Sequence, residues 1–284
     1  MKPVSTATAI LVYIIPLFLF TSCQERVRSA DPGKPVIGVT TSYLECAAGG
    51  LGGDSFSFIR LVPPGMCPGH FDLSPGMITD IRSANLLIRF DFQSSLDKKI
   101  ESIKRDIPIV GIKAPEGLCI PESYRKCLLE IHGVLLETFP EKREDLERSL
   151  EKSLKELELL EARSRVRIRK AGYEGKKVIA SGHQAEFCRW LGLDVAAAWS
   201  GSRAAKPREL QEILEKGRDS GIEIVVANLQ EGRQQAEALA SHLKARLVVM
   251  SNFPDMTPDQ DSFASLVRWN VDQLIGEESS GGNE

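Results

Sequence analysis

Glu141 to Lys170 reads EKREDLERSLEKSLKELELLEARSRVRIRK, without a glycine or a proline. Leu146, Leu150, Leu154, Leu157 and Leu160 recur at three- and four-residue steps, which places them on one stripe of an α-helix. Glu and Lys or Arg four residues apart can pair along the opposite side. Helical throughout, the segment spans about 45 Å, longer than an ordinary globular helix. The spacing predicts a rigid strut joining two lobes. A coiled-coil segment driving dimerisation is the other reading, although the stripe lasts only about two heptads before Arg163 to Lys170 turn strongly basic.

To either side, short apolar runs alternate with amphipathic stretches, the pattern of α/β lobes whose parallel sheets are crossed by helices. Strands are expected at residues 35–40, 57–62, 85–90 and 107–112, with helices at 42–49, 75–84, 94–106 and 121–139. The second half repeats the logic with strands at 177–180, 195–199, 223–227 and 246–250, and no residue-level repeat links the halves. The chain thus divides into an N-terminal lobe (35–139), a linking helix (140–171) and a C-terminal lobe (172–284). In open parallel sheets ligands bind beyond the carboxyl ends of the strands, so the loops after each strand carry the functional argument.

Composition narrows the classes. At 284 residues with 42% hydrophobic and 26% charged side chains, the chain is neither collagen-like, nor a disulfide-dense miniprotein, nor disordered. A net charge of −3 gives nucleic acid no electrostatic reason to bind.

The first segment reads as an address. Met1-Lys2 is followed by the apolar run Ala7 to Phe20, about the length of a signal-peptide core and too short for a membrane span. Phe20-Thr21-Ser22-Cys23 resembles the bacterial lipobox, where a peptidase cuts and Cys23 is lipidated; ordinary secretion with cleavage nearby is the other reading. Residues 1–22 are then a signal peptide and 23–34 a polar tether, and the body is anchored in the cell envelope outside the cytoplasm. Disulfides can persist there. The remaining cysteines, Cys46, Cys67, Cys119, Cys127 and Cys188, are odd in number, so at least one is unpaired or otherwise engaged.

The chemistry sits past the strand ends. Leu61 to Pro75 (LVPPGMCPGHFDLSP) holds four prolines and two glycines, which stiffen the loop and pre-place His70 as a ligand for a borderline divalent metal. The fifth expected strand runs into Ser181-Gly182-His183-Gln184, which puts a second imidazole past a strand end in the other lobe. Glu45, Cys46, Cys67, Glu116 and Cys119 fall in or after loops expected to line the same crevice. Thiolate with imidazole favours zinc or copper(I) over manganese. A disulfide between two of Cys46, Cys67 and Cys119, bracing the loop of His70, remains the competing use of the thiols. Cys127 and Cys188 sit among apolar neighbours on expected helices and read as core. His132 and His242 read as solvated or partly buried helix residues. Asn228 and Gln230 follow a strand and reach the cleft or begin a helix.

Val36 to Ser42 (VIGVTTS), Leu61 to Gly65 followed by His70 and Pro75, the long mid-chain helix, and Val178 to Leu193 (VIASGHQAEFCRWLGL) together resemble the zinc/manganese-binding lipoproteins of ABC importers. The resemblance covers nearly all of the chain after the leader. It implies two lobes bridged by one helix, and an ion held in the cleft between them: zinc first, with manganese, iron or copper as alternatives. It also implies delivery of that ion by a monomer to a membrane permease and its ATPase, with no catalysis. His70 matches the family's first ligand and His183 falls in the loop of a later one. The family's His-x-Trp-x-x-Pro stretch has no counterpart, because the chain reads Glu116-Gly-Leu-Cys119-Ile-Pro121. A carboxylate some members carry after the sixth strand is replaced by Ser200-Gly201, and an Asp often found after the last strand by Ser251-Asn252. The pattern is that of a divergent branch in which Glu45, Cys67 or Cys119 completes the ligand set with His70 and His183. Two other classes stay open: a lipoprotein for a small organic solute, and a Cys/His hydrolase, for which no Gly-x-Ser-x-Gly or Gly-x-Gly-x-x-Gly motif is present.

Overall fold

The computed structural model of the chain describes residues 33–62, 74–200, 207–255, 257 and 260–276. The expected signal peptide, the tether up to residue 32 and the lipidation site Cys23 lie outside these residues, as do Cys67 and His70.

The N-terminal half builds β1 (Val36–Val39), α1 (Ser42–Gly52), β2 (Ser57–Arg60), α2 (Pro75–Ser83), β3 (Leu86–Phe90), α3 (Asp97–Ile103), β4 (Ile109–Ile112) and α4 (Pro121–Thr138). The helix α5 (Arg143–Lys170) follows. The second half builds β5 (Lys177–Ser181), α6 (Gly182–Trp190), β6 (Asp194–Trp199), α7 (Pro207–Ser220), β7 (Ile224–Asn228), α8 (Gln234–Leu243), β8 (Arg246–Met250) and α9 (Phe263–Ile275). All eight expected strands form, with ends that move by at most two residues. The helix expected over residues 94–106 is shorter, because Asp91–Leu96 turns as a 3-10 helix and only Asp97–Ile103 is α. There the Gln93 side chain accepts from the Phe90 amide (3.0 Å) and from the Thr40 hydroxyl (2.6 Å), which favours the tighter turn.

Both sheets are parallel throughout and share one topology, β2-β1-β3-β4 and β6-β5-β7-β8. The two halves therefore repeat in architecture without repeating in residues. Strands buried on both faces favour apolar side chains, and β1, β3 and β7 are buried along their whole length, apolar but for Arg89 of β3 and Asn228 at the end of β7. Arg89 is the polar exception in β3. Its guanidinium meets Asp97 through two contacts of 2.5 Å and donates to the Phe90 carbonyl at 3.0 Å. It lies across Gly111 of β4, where a Cβ would stand 2.7 Å from Nη1.

One apolar core runs from β1 and β3 through α1, α4, α5, α6 and α9 to β5, β7 and β8, while α2 with α3 and α7 with α8 cover the outer faces with smaller clusters. Leu146, Leu157 and Leu160 of the stripe are buried on α5, and the stripe continues through Ser164 and Ile168. It packs on α1, α4 and α9 of its own chain, which leaves no free seam for the coiled-coil reading. Aromatic packing ties the lobes at the same level: Phe263 of α9 stacks on Tyr124 of α4 with ring centroids 3.9 Å apart, and meets Tyr43 of α1 edge-on at 6.1 Å.

The strand ends of the two lobes face each other. Cys119, between β4 and α4, donates its thiol proton to the Ser251 carbonyl after β8 at 3.1 Å, and Asn270 Nδ2 of α9 reaches the same sulfur at 3.3 Å. Among the described residues no helix is long and apolar enough to cross a membrane.

Candidate metal centre

His183 opens α6. Ser181, at the end of β5, caps that helix, its hydroxyl oxygen accepting from the His183 amide at 3.3 Å. Gly182 between them passes so close to β6 that a Cβ would lie 3.1 Å from the Trp199 carbonyl oxygen. The cap and the close approach together turn the imidazole outward, with 64% of the side chain exposed.

The same Ser181 hydroxyl donates to Oε2 of Glu231 at 2.6 Å. Glu231 ends a single 3-10 turn after β7 (Leu229–Glu231), and its side chain is 13% exposed. Its Oε1 stands 3.0 Å from His183 Nε2 but is buried without a hydrogen bond. The two observations describe ion-pair distance without hydrogen-bond alignment. Burial raises the Glu231 carboxyl above its ordinary range, while the bond from Ser181, the His183 ring and a bond from Asn228 pull it back. Sequence reasoning singled out Asn228 and Gln230 and passed over Glu231. The signal that could have found it is the one that found His183: an ionisable side chain just past a strand's carboxyl end.

Beside this pair lies a layer of neutral amides. Gln184 Nε2 donates to Asn228 Oδ1 (3.2 Å) and to Asn252 Oδ1 (2.9 Å), and Gln230 links Ser251 Oγ (2.9 Å) to the Asn252 amide (3.2 Å). The Oε1 of the buried Gln184 has no partner. Asn228 and Gln230 thus join a polar layer past the strand ends of the C-terminal half, where Asn252 stands after the last strand.

The remaining candidates are placed elsewhere. Glu45 pairs with Arg60 of β2 and, with Cys46, Tyr124 and Asp261, lines a side cavity of about 330 Å³. Cys119 is fully buried in the seam, and burial pushes its thiol well up, so it is a neutral donor there. Cys46 is pushed up to about 12 by burial and donates to the Asp261 carbonyl at 3.4 Å. Cys119, Cys127 and Cys188 are free thiols, and the last two are core residues as expected. His242 is held on α8 by the Ala238 carbonyl, 2.8 Å from Nδ1. Among the described residues no three His, Cys, Asp or Glu side chains converge into a metal-holding group. Among the described residues His183 and Glu231 thus stand as a pair past neighbouring strand ends.

Two lobes with parallel sheets, joined by one continuous helix and carrying ionisable groups at the facing strand ends, define a two-lobed ligand-binding protein. The chain belongs to the family of zinc-uptake complex component A, periplasmic, whose profile matches residues 37–276. Membership makes it the extracytoplasmic metal-binding component of an importer, working with an ABC permease and its ATPase on a divalent ion. The organic-solute and hydrolase readings are not favoured.

Solved structures share the fold at low identity. A crystal structure of ZnuA has TM-score 0.72 at 16% identity, over 86% of this chain and 98% of that one. The Mn-bound periplasmic metal binding protein of Candidatus Liberibacter asiaticus has TM-score 0.74 at 14% identity, over 86% and 99%. A zinc-bound ZnuA lacking residues 138–173 of its own numbering has TM-score 0.70 at 17% identity, over 88% and 100%. A search of curated proteins found no match.

Proposed function

We propose that the chain captures zinc outside the cytoplasm between His183 of one lobe and His70 of the other, with Cys67 as a further candidate ligand, and presents it to the permease. The observation that carries this reading is the exposed imidazole of His183, set past a strand end on a capped helix and backed by a buried carboxylate. A carboxylate beside an imidazole supplies the negative charge that favours a cation at that place. Nitrogen donors from opposite lobes let one ion bridge the cleft, so loading and closure become the same event, and imidazole ligation favours zinc among common divalent ions. Cys119 would join the ligands only by giving up the Ser251 carbonyl, and Glu45 only by leaving Arg60. The domain limits proposed are 35–139, 140–171 and 172–284, following a signal peptide (1–22) and a tether (23–34) held to the membrane by lipid on Cys23, with the folded body working as a monomer.

Titration calorimetry of the metal-free protein with zinc tests the site. One ion per chain is expected, with affinity reduced at least about a hundredfold (about 2.7 kcal/mol) in His70→Ala and in His183→Ala. Wild-type affinity in both variants would overturn the assignment. The anchor is tested separately: Cys23→Ser should move the protein from the membrane fraction to the soluble one.

A further inference from the structure

Glu231 has a divided carboxylate. One oxygen is satisfied by the Ser181 hydroxyl at 2.6 Å. The other is buried, makes no aligned hydrogen bond, and stands 3.0 Å from Nε2 of His183, whose side chain is largely exposed. A buried carboxylate oxygen paired with an imidazole at 3.0 Å without an aligned hydrogen bond is incompletely satisfied, and a cation placed between the two groups would satisfy both. Two donors about 2.0–2.2 Å from one tetrahedral zinc stand about 3.3 Å apart, so the observed spacing needs only a small ring movement to admit an ion. Ser181 and Asn228, which bond the carboxylate, are neutral, so the carboxylate supplies the negative charge beside His183.

We infer that Glu231 Oε1 is a direct ligand of the transported ion beside His183 Nε2, that Ser181 is its positioning residue, and that this oxygen donor decides how well manganese competes with zinc. The inference rests on the reading that the ion sits at His183. Oxygen donors suit manganese, whereas imidazole suits zinc. Removing the carboxylate charge while keeping its shape must therefore weaken manganese more than zinc. A carboxylate that merely orients the ring would weaken both alike, because both metals depend on the same imidazole.

The experiment compares wild type, Glu231→Gln and His183→Ala, each metal-free, titrated with Zn2+ and with Mn2+ against a competing chelator, with thermal melting of the metal-free proteins as the folding control. Expected is a zinc affinity at least about tenfold lower in Glu231→Gln and a manganese affinity lower by a further tenfold or more. An equal loss for the two metals, or no loss, overturns the inference while the cleft reading stands, provided His183→Ala loses zinc. Absence of binding to wild type, or wild-type binding by His183→Ala, overturns both. Should Glu231→Gln melt early, Ser181→Ala replaces it and must shift the zinc-to-manganese ratio in the same direction.

Discussion

His132 on α4 shows how a single side chain couples stability to pH. Its Nε2 is buried without a partner. Burial lowers its pKa first, while Glu147 of α5 raises it and Arg143 lowers it again. A histidine whose folded pKa lies below its unfolded value keeps its contribution above the unfolded pKa and loses it as the pH falls, because the unfolded chain then binds more protons. The wild type should lose more melting temperature than His132→Gln between pH 7.5 and pH 5.5, measured by differential scanning calorimetry. Cys119 makes a second residue-scale case. Cys119→Ala removes a donor from the Ser251 carbonyl and a sulfur from beside Asn270 in a closed seam, and should cost about 1–3 kcal/mol in urea unfolding. Its thiol, with those of Cys127 and Cys188, should be unreactive toward a disulfide reagent until the protein unfolds.

Among the elements, α5 and α1 carry the clearest tests. Leu146 is fully buried on the stripe of α5, whereas Leu159 on the same helix is 50% exposed. Leu146→Ala should cost about 2–5 kcal/mol, and Leu159→Ala under about 1 kcal/mol. On α1, a Cβ at Gly49 would meet nothing within 4 Å, but one at Gly52 would stand 2.7 Å from Phe56 Cδ2 and 3.0 Å from the Phe58 ring. Gly49→Ala should therefore stabilise by about 0.5–1 kcal/mol through helix propensity, and Gly52→Ala should destabilise through the clash; urea midpoints decide both. These elements were legible beforehand because their cause is local. The leucine stripe of residues 146–160 follows from helical period alone, and each of the eight strands is a short apolar run set off by polar turns. The 3-10 turn of Asp91–Leu96 was not legible, since it is held by Gln93 reaching Thr40 across the sheet.

At the scale of the molecule, one core threads both lobes and α5, so the described body should unfold as one unit. Trp190, Trp199 and Trp269 all lie in the second half, which makes fluorescence a probe of that lobe and far-UV circular dichroism a probe of the whole. The two urea transitions should coincide; separated midpoints would show that the lobes unfold independently. Zinc at a hundred times its dissociation constant should raise stability by about 2.7 kcal/mol in wild type and by much less in His183→Ala. The amino-acid sequence by itself determined the two α/β halves, the strut between them and the imidazole past the fifth strand, since periodicity and strand-end position are properties of neighbouring residues. Only the tertiary structure decided the partners. Glu231 meets His183 because β7 lies beside β5 in the sheet, Cys119 is closed into the seam by Ser251 and Asn270, and Glu45 turns to Arg60 because β2 runs next to β1. Those contacts join residues about fifteen to a hundred and fifty positions apart, and chain folding, not local pattern, brings such residues together.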